Sequence, residues 1–297
     1  MSAKKGRSYE KKFEVAAPPE AVWKAITEGE ELTRWFCQEA SCEPGLGGKH
    51  HVDWGGGAKG TSTITVWEPG VHLRTESVRA DLSKPAAGEP AEPYAVDWFL
   101  EGEGGVTRVR MVASGFGEGP DWDHEYEGTF HGWDMFHRTL KHYLENHRGK
   151  PAKNVVVFAM LAVPPEEAWK RLMSAEGLVK EGSLGDLSVG APFRFATSDG
   201  DVFAGVVQKY VPAKAFSAIV ESLNKAVLIL EMASMPGQGH FVYLSLSTWG
   251  LPKAEVDALG GRIKSIVYGL FPQGSGEPKS GCAAEGAEAA AATEGSG

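Results

Sequence analysis

The sequence predicts an α+β protein built from two tandem copies of one domain, each an antiparallel sheet with a long final helix. The first observation is an internal repeat, because FEVAAPPEAVWKAI at 13–26 returns as FAMLAVPPEEAWKRL at 158–172. A solenoid repeat spans only about 20–50 residues, so this much longer period indicates two domains. The second observation is that both copies have the same order of signals: strand, short helix, several strands, long helix. That order is typical of an α+β fold.

Local patterns justify the elements of the first copy. Phe13-Glu14-Val15 predicts a strand, and Pro18-Pro19 then opens a helix, because proline suits the first helical position, where its missing N–H needs no partner. Strands are predicted at 61–67, 72–78, 94–101 and 106–113, separated by glycine and proline. A helix is predicted at about 128–147, where Trp133, Phe136, Leu140, Tyr143 and Leu144 form one apolar stripe.

The second copy repeats this order in a more divergent form. Apolar residues at 155–158 predict its first strand, Pro164-Pro165 opens its short helix, and 253–270 form its long helix. Gly260-Gly261 inside that helix costs about 1 kcal/mol per glycine relative to alanine, which favours either close packing or a kink there. The predicted domains are 8–148 and 153–271, followed by an acidic, Gly/Ala-rich tail at 273–297 that is predicted to be disordered.

Composition excludes several classes of protein. The formal net charge is −9, and a surface of that sign repels phosphate backbones, so no nucleic-acid partner is expected. No apolar run reaches the about 18 residues of a membrane span, and no secretory signal precedes the first strand. The three cysteines are an odd number and predict reduced thiols rather than a disulfide framework. These features predict a cytoplasmic protein.

The first copy carries five motifs in an order that resembles a known family. They are APPEAVW at 17–23, LTRWF at 32–36, PGLGG at 44–48, WEP at 67–69, and Gly132-Trp133 followed by Leu140, Tyr143 and Leu144. Over about 10–147 they resemble the C-terminal domain family of the heat-shock-protein-90 ATPase activator, within the START-like (SRPBCC) superfamily. The resemblance implies a helix-grip fold, in which a curved antiparallel sheet wraps around a long C-terminal helix. The second copy lacks the Arg-Trp-Phe cluster and the Gly-Trp pair, so it resembles the family less.

The resemblance also implies a pocket between the sheet and the long helix. Members of the superfamily bind lipids, hormones and polyketides there, so a small apolar molecule is the expected partner. Seven of the nine tryptophans lie in the first copy, and large rings with a few polar groups are typical of such pockets. The candidate ligand-binding residues are Trp35, Phe36, Trp54, Trp98, Phe99, Arg110, Trp133 and Phe136. The alternative is that these side chains simply fill a core.

Candidates for catalysis are weaker. The segment 121–125 places Asp123 and Glu125 around one histidine, and is predicted as a loop before the long helix; His131 follows near the predicted pocket rim. Carboxylates and histidine together can divide the acid and base roles of a reaction. The histidines of the long helix are spaced five or six apart rather than three or four, so no metal site is predicted. No nucleotide fingerprint is present, and no cofactor is expected.

Three functions remain open from the sequence. The first is a non-enzymatic protein that binds a small apolar ligand, mainly in the first copy. The second is a cyclase- or hydrolase-type enzyme that uses the same pocket. The third is a co-chaperone-like module that contacts a chaperone or another protein, which only the family resemblance implies. In the second copy the candidate lining is Phe193, Phe195, Phe203, Tyr210, Phe216 and Trp249, and a structural or regulatory role is expected for it.

Overall fold

The computed structural model describes residues 7–55, 58–77, 93–103, 105–116, 120–235 and 239–272, without the side chains of 55, 58, 103, 120–125, 127, 128, 131 and 233–235. The predicted tail at 273–297 lies outside these ranges. The described chain divides between Gly149 and Lys150 into two compact units, here called the first and the second domain.

The first domain contains one seven-stranded sheet and three helices. Its elements are β1 (Arg7–Val15), α1 (Pro19–Thr27), α2 (Gly29–Leu32), β2 (Glu39–Cys42), β3 (Lys49–Gly55), β4 (Ala58–Glu68), β5 (His72–Ser77), β6 (Tyr94–Glu103), β7 (Val106–Phe116) and α3 (Pro120–Asn146). The sheet is antiparallel, with the order β1-β7-β6-β5-β4-β3-β2. The first strand therefore pairs with the last, and the meander between them covers the rest of the sheet.

The second domain has the same topology. Its elements are β8 (Ala152–Leu161), α4 (Pro165–Leu172), β9 (Glu181–Ser183), β10 (Pro192–Ala196), β11 (Val202–Val211), β12 (Ala215–Val220), a 3₁₀ turn (Glu221–Leu223), β13 (Ala226–Met235), β14 (Gly239–Trp249) and α5 (Lys253–Leu270). The antiparallel sheet runs β8-β14-β13-β12-β11-β10-β9. Since strand order and helix positions repeat, the predicted tandem α+β helix-grip architecture is confirmed.

The double prolines begin both short helices, as predicted. Pro18 and Pro164 have extended backbone angles and act as N-caps, while Pro19 and Pro165 occupy the first helical position. Each helix buries its tryptophan.

The prediction for the start of α3 was wrong. The helix begins at Pro120 rather than near residue 128, so the segment 121–125 is helical and not a loop. The physical reason is visible in the sequence: proline suits a first helical turn, and the acidic residues that follow it are favoured there by the helix dipole.

Close packing explains Gly260 in α5. A Cβ atom added there would lie 3.0 Å from the Val155 side chain of β8, whereas one added at Gly261 would meet nothing within 4 Å. Gly260 therefore lets the long helix approach the sheet. The interior of the second domain is filled by apolar side chains, among them Phe193, Phe195, Phe203 and Phe216.

The two glycines provide a matched test of this packing. We expect Gly261→Ala to raise the free energy of unfolding by up to about 1 kcal/mol, because alanine has the higher helix propensity and the site is open. Gly260→Ala should stabilise the protein less, or destabilise it, because the Val155 side chain must move to make room for the new Cβ atom. Urea unfolding of the two variants measures the difference, and equal stabilisation by both would show that Gly260 is not needed for the close approach.

Candidate functional site

A cavity lies between the sheet of the first domain and its helices. The space open to the centre of a water molecule is about 80 Å³. One water needs about 10–15 Å³ measured in this way, so there is room for several waters or part of a small organic molecule. The lining contains seven aromatic residues (Trp35, Phe36, Trp54, Tyr94, Trp98, Trp133, Phe136), five aliphatic residues (Ile26, Leu32, Val52, Leu73, Val96) and four polar residues (His50, Ser62, Thr75, Ser77).

Six of the eight predicted ligand-binding residues line this cavity: Trp35, Phe36, Trp54, Trp98, Trp133 and Phe136. Their rings also contact one another. The Phe36 ring centroid lies 4.6 Å from that of Phe136 and 5.8 Å from that of Trp133, and Trp98 meets Trp133 edge-on at 5.7 Å. The cavity wall is thus formed by aromatic rings that contact one another. They come from α3, from the loop between α2 and β2, and from the sheet.

The other two predicted residues, Phe99 and Arg110, lie on the opposite face of the sheet. Successive side chains of a strand point to opposite faces, so Trp98 faces the cavity and Phe99 faces away. The Arg110 guanidinium carbon lies 4.8 Å above the Phe99 ring, and its Nη2 donates to Glu10 at 3.1 Å. Neither residue contributes to the cavity wall, and Arg110 is not a polar anchor within it.

The weak catalytic candidates Asp123, Glu125 and His131 all fall within α3. Their side chains lie outside the described residues, so a catalytic role for them stays a prediction. Among the side chains that the structure describes, no group of three or more histidine, cysteine, aspartate or glutamate residues is placed to hold a metal ion.

Polar lining residues are the part of the site that sequence reasoning missed. His50 lies on β3, Ser62 on β4, and Thr75 and Ser77 on β5, all on the inward face of the sheet. The available signal was alternation, since Leu73, Thr75 and Ser77 follow one another at every second position. Because Thr75 and Ser77 are polar, the alternation did not indicate that this face of β5 points into the interior.

His50 is an uncharged member of the lining. Burial lowers the pKa of its imidazole below the ordinary value, and a hydrogen bond to the Ile26 backbone acts in the opposite direction. The folded protein therefore holds His50 neutral at pH 7. None of the other residues in the described lining carries an ionisable acid or a permanent cation.

The indole N–H groups of the lining differ in their partners. Trp133 Nε1 donates to the Tyr94 hydroxyl at 2.9 Å, and Trp35 Nε1 donates to the Ala25 carbonyl at 2.8 Å. The buried Nε1 of Trp54 has no hydrogen-bond partner within the described structure. A buried donor without an acceptor is costly, so a ligand or water that accepts from Trp54 would relieve that cost.

His137 lies behind the cavity wall, in the same ring cluster. Its imidazole stacks on Trp133 with centroids 5.6 Å apart, and its Nδ1 lies 3.5 Å from the Tyr9 hydroxyl. Burial lowers the pKa of His137 to about 3, and the positive charge of Lys11 acts in the same direction. Its Nε2 is buried with no hydrogen-bond partner in the described structure, so this histidine acts as a neutral core ring.

Two further predicted features concern cysteine and the membrane. Cys37 and Cys42 are free, and burial raises the pKa values of their thiols to about 12 and about 11. Neither thiol is therefore an activated nucleophile. Within the described residues, no helix is both long and apolar enough to cross a bilayer.

Four of the six candidate lining residues of the second domain belong to its hydrophobic core cluster, and Tyr210 packs against that cluster. Phe195 stacks on Phe203 at 4.8 Å, and Phe193 meets Phe216 edge-on at 5.3 Å. All four rings are buried in the cluster between the sheet and α5. The two domains therefore share a topology, and the four phenylalanine rings pack together in the core of the second.

Three solved structures are similar to all or part of this chain. Protein MLL2253 from Mesorhizobium loti is 25% identical over 46% of this chain and 96% of its own, with a TM-score of 0.38. The Aha1 dimer from Colwellia psychrerythraea is 21% identical over 48% of this chain and 99% of its own, with a TM-score of 0.39. The di-domain ARO/CYC protein BexL from the BE-7585A biosynthetic pathway is 14% identical over 91% of this chain and 98% of its own, with a TM-score of 0.42.

Sequence comparison matches the first domain to a family model. No curated protein matches the chain at a significant level. The model of the Activator of Hsp90 ATPase homolog 1-like protein matches residues 16–145, which run from the end of β1 almost to the end of α3. The matched range includes every described residue that lines the cavity. The first domain therefore matches the family of Activator of Hsp90 ATPase homolog 1-like proteins over residues 16–145, and a second domain with the same strand order follows.

Proposed function

We propose that the first domain binds a small, mainly apolar molecule in the cavity between its sheet and its helices. The observation that carries the proposal is the cavity itself, which stays open although seven aromatic residues surround it. Protein interiors are normally packed to crystal density, and a void of this size costs stability. A ligand that filled it would recover the lost contacts.

The contrast between the domains supports assigning the binding to the first one. In the second domain, Phe193, Phe195, Phe203 and Phe216 pack against one another in the core. In the first domain, the rings contact one another and also line an open space. The second domain is accordingly proposed to have a structural or regulatory role.

Filling the cavity tests the proposal. We expect N-phenyl-1-naphthylamine, an uncharged dye that fluoresces in apolar surroundings, to bind the full chain. Val96→Phe places a larger side chain in the wall and should weaken dye binding by about tenfold or more, because the new ring occupies the space of the ligand. Fluorescence titration measures the affinity, and circular dichroism checks that the variant is folded.

Val112→Phe is the matched control for this experiment. Val112 lies on β7 opposite Asp97 of β6, where the side chains point away from the cavity. The same substitution there should leave dye binding unchanged. Failure of the wild-type chain to bind the dye, or equal binding by Val96→Phe, would contradict the proposed site. Native mass spectrometry of the freshly purified chain would identify a ligand carried from the cell.

A further inference from the structure

The strand register gathers the polar lining residues into one row. His50 of β3 pairs with Ser62 of β4, and Ser77 of β5 pairs with Tyr94 of β6. Thr63 pairs with Glu76, so Ser62 and Ser77 are the next neighbours between β4 and β5. We call His50, Ser62, Ser77 and Tyr94 the polar row. It crosses four adjacent strands on the inward face of the sheet.

Polarity falls along the strands away from this row. The next inward position across the sheet is occupied by Ile64, Thr75 and Val96, which are paired in register. Beyond it, Leu73 pairs with Trp98. On the other side of the row, β3 contributes Val52 and Trp54 to the lining. The row is therefore a polar strip within a largely apolar wall, and a ligand with one polar group would place that group against it.

The groups of the row suit an uncharged hydrogen-bonding partner. Serine hydroxyls both donate and accept. The Tyr94 oxygen already accepts from Trp133 Nε1, and a neutral imidazole such as that of His50 has one donor and one acceptor nitrogen. Trp54 Nε1 adds a donor that has no protein partner in the described structure. A hydroxyl or carbonyl group on the ligand would match this set.

The same lining is unfavourable for a charged group. No lysine, arginine, aspartate or glutamate belongs to the described lining. The nearby sheet arginines face the other side, where Arg74 pairs with Asp97 and Arg110 pairs with Glu10. A carboxylate at the polar row would lose its hydration without gaining a cation, which is strongly unfavourable.

We propose that the polar row selects ligands whose ring-like apolar body carries an uncharged hydroxyl or carbonyl group, and that the cavity rejects carboxylates. This inference rests on the proposed function of the cavity. It makes Ser77 a specificity-determining residue, because it lies at the centre of the row and its side chain is buried among the lining.

Three probes of one shape test the selection: 2-naphthol, naphthalene and 2-naphthoate. Isothermal titration calorimetry of the full chain at pH 7, with displacement of N-phenyl-1-naphthylamine as a check, gives the three affinities. We expect 2-naphthol to bind about tenfold more tightly than naphthalene, as one or two hydrogen bonds allow, and 2-naphthoate to bind at least tenfold more weakly than 2-naphthol.

Ser77→Ala tests the role of the row. We expect it to reduce the 2-naphthol/naphthalene affinity ratio by about three- to tenfold, while naphthalene binding itself changes little. Ser114→Ala, the same substitution on the outward face of β7, should leave the ratio unchanged. The affinity ratio is the useful measurement, because a general loss of protein stability would weaken the binding of both probes to the same extent.

The outcomes separate this inference from the function on which it rests. If 2-naphthoate or naphthalene binds as tightly as 2-naphthol, or if Ser77→Ala leaves the ratio unchanged, the selection is wrong while the cavity remains a binding site. If none of the probes nor the dye binds, the proposed function fails and the selection with it.

Discussion

Trp133→Ala is expected to lower the free energy of unfolding by about 3–5 kcal/mol, the usual cost of truncating a large buried aromatic side chain. The Trp133 ring is 7% exposed. Its centroid lies within 6.0 Å of the centroids of Phe36, Trp98, Phe136 and His137. Its N–H also donates to Tyr94, so truncation removes ring contacts and a buried hydrogen bond at once. A loss of this size is a large part of the about 5–15 kcal/mol that stabilises a typical domain.

The control for Trp133 is an aromatic residue on the other face of the same sheet. Phe99 contacts the His72 ring and the Arg110 guanidinium but is only partly buried. Phe99→Ala should therefore cost clearly less than Trp133→Ala. Urea unfolding curves of both variants give the comparison. Equal losses would mean that the ring cluster around the cavity does not dominate the stability of this domain.

Acidification is expected to destabilise the first domain through His137. Its pKa is lowered from 6.5 to about 3 in the folded state, mainly by burial and further by Lys11. Between these two pH values the unfolded chain binds more protons than the folded chain, so stability falls as the pH drops below about 6.5. The loss continues until about pH 3, with a slope of at most about 1.4 kcal/mol per pH unit for one group.

Replacing His137 measures how much of the acid-induced loss of stability is due to this residue. His137→Phe keeps a ring against Trp133 but removes the titrating group, and it loses only the long contact of 3.5 Å with Tyr9. Between pH 6.5 and 4.5 we expect the variant to lose about 2 kcal/mol less than the wild type. His51→Gln is the control. The His51 ring hydrogen-bonds the Thr61 hydroxyl and lies outside the ring cluster, so this variant should follow the wild-type curve. Parallel curves for wild type and His137→Phe would show that His137 is not the group responsible.

Sequence reasoning succeeded where the signal is local. The repeat around Pro18 and Pro164 predicted two copies, and the prolines predicted where both short helices begin. The prediction for the start of α3 was wrong, because the glycines before Pro120 favour a loop while the helix already begins at Pro120. Sequence reasoning did not identify α2 or β2, which have only four residues each. It also missed β3, where His50 interrupts the apolar alternation.

The candidate site was also predicted in part from local signals. Tryptophan content predicted most of the ring cluster, since such rings are normally buried. Phe99 lies outside the cavity lining because Trp98 and Phe99 are adjacent in β6, and a one-residue difference moves a side chain to the other face. Arg110 pairs with Phe99 in the register, so it follows that residue to the outer face.

By itself, the sequence determined the order of elements, the tandem repeat and the aromatic character of the first domain, because these depend on local propensity, capping and composition. Only the tertiary structure decided which faces of the strands point inward, how β3 to β6 align, and therefore that His50, Ser62, Ser77 and Tyr94 form one row. It also decided that the first domain keeps a cavity while the second packs its rings together. These outcomes depend on strand register and on packing across the sheet, which join residues far apart in the chain.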